Sequence, residues 1–197
     1  MAITRARTSS VAQGPSTRKT VLGGNNVILP GSYDAIGVVT VGSTPATEIV
    51  FNSIPQTYKH LQVRALVRNN RAAFASNTYY RFNGDTGSNY AYHAMYGNGS
   101  SPGAYGGGSA NVQLATDPSA SFTANCFAGQ IYDILDYTNT NKNKTSRISV
   151  GFDGNGSGEV HLASNLWMNT SAITSIRFYP NSGEYIQYTT FALYGIR

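Results

Sequence analysis

Between positions 58 and 68 the chain alternates strictly. Leu61, Val63, Ala65 and Val67 fall on one side, and Tyr58, His60, Gln62, Arg64, Leu66 and Arg68 on the other. A period of two is that of a half-buried strand, so the first set is expected to point into a core. Shorter strand patterns are read at 35–41 and 47–51, joined by GSTPA as a hairpin loop and closed by Ile54 and Pro55. More follow at 78–82, 90–96, 121–137, 146–152, 159–167, 173–179 and 185–196, divided by the turn signals NGDTG, DGNGSG and PNSGE.

No amphipathic helical stretch lies between them. Many short strands at regular spacing predict an all-β fold, an antiparallel β-sandwich of jelly-roll type. The stretch 97–110, GNGSSPGAYGGGSA, is so rich in glycine that it is expected to be a surface loop and the candidate variable contact surface.

Residues 1–30 hold no period long enough to bury a face, and Thr, Ser, Gln, Gly and Pro dominate them. They read as an extended N-terminal arm, with 31–197 as the single sandwich domain; a chain of 197 residues suits one core of ordinary size. Charge sharpens this division. The net charge is +5, and Arg5, Arg7, Arg18 and Lys19 in the arm, with no acid near them, supply +4 of it. The sandwich is nearly neutral with dispersed charges, which argues against a nucleic-acid partner. Ordering a basic arm costs conformational entropy, so a neighbouring subunit is expected to provide the surface that fixes it. Arg5, Arg7, Arg18 and Lys19 are therefore the candidate anchoring residues.

Candidate chemistry is sparse. Asp133 and Asp136 are three apart in a strand pattern and fall on opposite faces, while Asp153 and Glu159 flank a turn built on Asn155-Gly156. The DGNGSG loop lacks the further acids of a calcium loop. His60, His93 and His161 lie in different strands without zinc-ligand spacing, and Gly106 to Gly108 precede Ser-Ala, which is not a P-loop continuation. The sole cysteine, Cys126, lies in an apolar run and is expected to be a buried thiol. These readings predict a non-enzyme without metal or cofactor. No apolar run approaches the ~20 residues that cross a bilayer, so membrane insertion is not expected, and the start lacks a secretory h-region, which reads as assembly in the cytoplasm.

What remains is an excess of tyrosine, 14 in all, set among Ser, Gly and Asn as in adaptable binding surfaces. Tyr79, Tyr90, Tyr92, Tyr96 and Tyr105 surround the glycine-rich stretch and are the candidate contacts to a host-surface glycan, since aromatic rings stack on sugar faces.

The run SIPQTYKHLQVRALVR at 53–68, paired with FALYGIR at 191–197 and preceded by an arm like MAITRARTSSVAQGPS, resembles a domain of tailed-bacteriophage virion proteins of tail-fibre or minor structural type. The resemblance covers most of 31–197 and brings no catalytic motif. It implies a virion location and a symmetric homo-oligomer such as a trimer, with other virion proteins of tail, baseplate or capsid as partners. Under it the protein is either a tail-associated attachment protein or a decoration protein that cements the head lattice.

Overall fold

The computed structural model describes residues 20–22, 25–27, 32–110 and 113–197. The anchoring candidates Arg5, Arg7, Arg18 and Lys19 lie outside them. Within the arm, β1 (Thr20–Leu22) and β2 (Asn25–Val27) pair antiparallel.

Twelve further strands form a sandwich of two antiparallel sheets, and the described residues include no helix. The large sheet has eight strands, in the order β3 (Tyr33–Thr40), β14 (Thr190–Ile196), β5 (His60–Val67), β10 (Ala128–Leu135), β11 (Lys144–Asp153), β12 (Gly158–Trp167), β7 (Tyr90–Gly97) and β8 (Pro102–Ala110). The small sheet has four: β4 (Ile49–Phe51), β13 (Ile176–Pro180), β6 (Ala75–Phe82) and β9 (Gln113–Pro118).

The alternation read at 58–68 is β5, and Leu61, Val63, Ala65 and Val67 are all buried, packing opposite the inward residues of the small sheet. Aromatic rings fill the space between the sheets. Phe178 of β13 lies within 5.8 Å of Tyr80, 5.2 Å of Tyr132 and 4.8 Å of Phe191, ring centre to ring centre. Such contacts add to the area burial that dominates the stability of a sandwich.

GSTPA closes no hairpin, since β3 and β4 lie in different sheets, and three further expectations need correction. The stretch expected as a loop at 97–110 is β8 from Pro102 onward, hydrogen-bonded to β7 along its length. Its glycines sit opposite rings. In the register Tyr96 faces Gly103, His93 faces Gly106 and Tyr92 faces Gly107. A Cβ at Gly103 would stand 2.3 Å from the Tyr96 ring, and one at Gly107 2.9 Å from the Tyr92 ring. The rings of one strand thus supply the packing that the bare backbone of the other lacks.

The second correction concerns 121–137, where only β10 is strand. Residues 119–126 turn instead around Arg68, whose guanidinium donates to the carbonyls of Phe122 (3.0 Å), Thr123 (2.7 Å) and Cys126 (2.9 Å). Arg68 was expected on the solvent side, yet it is 5% exposed, because β5 ends at Val67 and the side chain turns into these carbonyls. Third, Cys126 is half-buried at the margin of that turn, short of the full burial expected.

Candidate functional site

The candidate tyrosines divide into three groups. Tyr90 is wholly buried, stacked on Trp167 at 6.3 Å, and burial pushes its hydroxyl up to about 12; it is a core residue and cannot contact a ligand. Tyr79 faces outward on the small sheet, where it packs edge-on against Tyr179 at 5.8 Å. Burial, and then the nearby Tyr92 hydroxyl, raise its pKa.

Tyr92, Tyr96 and Tyr105 come together. Strand β7 projects Tyr92 and Tyr96 to the inner side of the large sheet, and Tyr105 of β8 lies between them, 6.0 Å from each. This is the free edge of the large sheet: β8 is its last strand, and β9 of the small sheet crosses over β7, β10, β11 and β12. All three rings are half-buried.

Two further residues complete the group. His161 of β12 pairs with Tyr96 in register and stacks on its ring at 5.3 Å with an interplanar angle of 17°. Its Nε2 donates to Glu159 Oε2 at 2.8 Å, since a carboxylate can only accept. The other nitrogen, Nδ1, is 3.4 Å from the Tyr105 hydroxyl. Tyr105, His161 and Glu159 thus form a polar chain along the floor of an aromatic cluster. Burial first, and the Tyr92 hydroxyl and Glu159 carboxylate next, hold the Tyr105 phenol above its ordinary pKa.

Beside the cluster a shallow cleft of about 670 Å³ opens between the turns 97–99 and 153–159, with Asn98, Asp153, Ser157 and Glu159 among its lining. The lower turn is the one read from DGNGSG: Asn155 and Gly156 adopt φ of 62° and 104°, a conformation open to Asn and Gly, which brings Asp153 and Glu159 onto one rim. An amide, a hydroxyl and carboxylates next to aromatic rings are the groups that bind sugar hydroxyls and sugar faces.

Among the described residues no group of three His, Cys, Asp or Glu could hold a metal ion. No family model, curated protein or solved structure matches this chain.

The opposite, outward face of the same sheet is apolar. Met95, Val160, Leu162, Leu66, Val38 and Ile131 stand on it with exposures from 60% down to 40%. Toward one border Arg64 donates to Gln62 Oε1 (2.8 Å) and Gln62 donates to Asp133 Oδ1 (2.7 Å), and Asp153 stands at the other border. Sequence reading missed this face because β12 also places Val160 and Leu162 among polar neighbours. Only the strand order brings them beside Met95, Ile131 and Leu66. Glu159 and His161 were read as turn-flanking and strand-face residues. The signal for them was their i, i+2 spacing on one side of a strand, which needed β7 as a neighbour to acquire meaning.

Proposed function

We propose that the protein is a non-enzymatic structural component of a bacteriophage particle, associated with the tail fibre or baseplate. Its N-terminal arm anchors it, and its β-sandwich presents a glycan-binding edge to the host surface. The observation that carries the binding part is the cluster of Tyr92, Tyr96 and Tyr105 around Glu159 and His161, whose Glu159 also lines a cleft with Asn98 and Asp153. The virion part rests on the resemblance of 53–68 and 191–197 to virion proteins and on the basic charge collected in the arm. Display of many copies in a symmetric assembly multiplies modest single-site affinities through effective concentration, so one copy binds weakly.

A glycan array probed with particles tests the binding part. Binding that falls at least tenfold in Tyr96→Ala and Tyr105→Ala supports it, whereas binding indifferent to both variants assigns the edge a purely structural role. Deletion of residues 1–20 is expected to leave a folded, soluble sandwich that no longer joins the particle; normal incorporation refutes anchoring by the arm. A second reading, decoration of the capsid, is favoured by the broad apolar face of the large sheet. Antibody-labelled electron microscopy separates the two, with label at the tail tip supporting attachment and label over the head supporting decoration.

A further inference from the structure

The outward face of the large sheet is built as a pattern of knobs and hollows. Across the strands one row reads Leu66, Gly129, Gly151, Val160, Gly97 and Pro102. Two branched side chains thus flank a valley of two adjacent glycines, each with only a neighbouring carbonyl oxygen at 4.0 Å from where its Cβ would be. The next row reads Arg64, Ile131, Ser149, Leu162, Met95 and Ala104. Here a serine lies between Ile131 and Leu162. Three shallow hollows of about 600, 640 and 750 Å³ lie along these two rows.

We propose that a second copy of this chain packs on this face, across a twofold axis that runs along the strands between β11 and β12. Such an axis lays β11 over the other copy's β12, β10 over its β7 and β5 over its β8. Val160 then meets Gly151, Leu162 meets Ser149 and Met95 meets Ile131, so that every knob finds a hollow or another apolar side chain. On the bordering polar row His93 comes opposite Asp133. The axis also preserves the twist of both sheets, so their strands stay nearly parallel as in other face-to-face packings.

Size and charge fit this occupant. At about 4.8 Å per strand, six overlapping strands with two outward rows cover roughly 24 × 15 Å in projection. With the relief of the knobs, a pair removes on the order of 1,000 Å² of accessible surface, which reaches the size of a specific contact. A monomer would instead leave this apolar area in water. The chain's own arm is a poor alternative: its four cations would meet Arg64 and Arg147 on a face where Asp133 already accepts from Gln62 and Asp153 stands apart at the far end of β11.

The tyrosine rings lie on the other side of the sheet, but the cleft beside them shares Gly97, Gly151 and Val160 with this face, so the dimer is tested by its oligomeric state and not by glycan binding. Sedimentation of the full chain at about 50 μM tests it. The wild type is expected to be a dimer, and Met95→Lys and Ile131→Asp each to raise the dissociation constant about 100-fold. Met95 and Ile131 are three strands apart within one chain and opposed only between copies. Mixing the two variants therefore restores a dimer, with one lysine against one aspartate. Val50→Lys on the outer side of the small sheet leaves the dimer intact. A monomeric wild type, a trimer, or an oligomer that survives both variants overturns the proposal.

Discussion

Asp117 is a carboxyl sealed between the sheets. It has no exposure, and its hydrogen-bonding neighbours are neutral: Asn69 donates to its Oδ2, and Thr78 bonds to it as well. Burial pushes its pKa up to about 7 against the lowering effect of these bonds. An ordinary aspartate titrates near 3.8, so the folded protein holds the proton far more tightly than the unfolded chain. A raised folded pKa contributes stability that is fully present below about pH 4 and is lost as pH rises toward 7. At about 1.4 kcal/mol per pH unit over some three units, the loss amounts to roughly 4 kcal/mol. Asp117→Asn removes the titration. Its carbonyl can still accept from Asn69, and its amide can donate to the Thr78 hydroxyl, which changes from donor to acceptor. Urea unfolding of both proteins at pH 4, 6 and 8 measures the effect. The variant should match the wild type within about 1 kcal/mol at pH 4 and exceed it by about 2–4 kcal/mol at pH 8, the lower bound allowing for the altered hydrogen bonds. All other ionisable groups are common to both proteins, and their contributions cancel in the difference. A stability difference independent of pH, or a variant weaker than the wild type at pH 8, would refute the reasoning.

Three other substitutions probe the frame of the sandwich. Lys144 is 1% exposed and donates to the carbonyls of Asn139 (2.6 Å), Lys142 (3.0 Å) and Thr170 (2.7 Å); Lys144→Met should cost roughly 2–4 kcal/mol in urea unfolding by stranding them, and a loss below 0.5 kcal/mol contradicts that role. Gly103→Val, which drives a Cβ into the Tyr96 ring, should destabilise by about 1–3 kcal/mol and speed hydrogen exchange along β7 and β8. Gly108→Ala, with nothing within 4 Å of its Cβ, should stay within about 0.5 kcal/mol of the wild type, and equal effects at the two glycines would refute the ring-on-glycine account.

How far the sequence could be read follows from where each signal resides. Strand β5 was legible because Leu61, Val63, Ala65 and Val67 carry their own alternation, and burial on one face is what alternation encodes. Strand β8 was not, because glycine has no side chain to alternate; the packing it needs sits on β7, as Tyr92, His93 and Tyr96. Arg68 continued the polar face of β5 on paper, but a strand that ends at Val67 frees the next side chain to turn inward. Tyr96 and Tyr105 were legible as candidates by composition. Tyr90 looked the same and shares the inward face of β7, and only its place opposite Trp167, on which it stacks inside the core, sets it apart. The outer face was illegible for a further reason: its apolar residues come from six strands scattered over the chain, and no local window contains a whole row.

Strand β14 lies between β3 and β5, and its first residue, Thr190, joins hydroxyls with Thr40 across 150 positions of sequence. During synthesis β3 and β5 therefore emerge early and wait, each with an unsatisfied edge, until the segment 190–196 leaves the ribosome. Pairing at such separations is slow, and a waiting edge invites the wrong neighbour. Nascent chains arrested before that segment should accordingly be the species that chaperones hold and proteases clear.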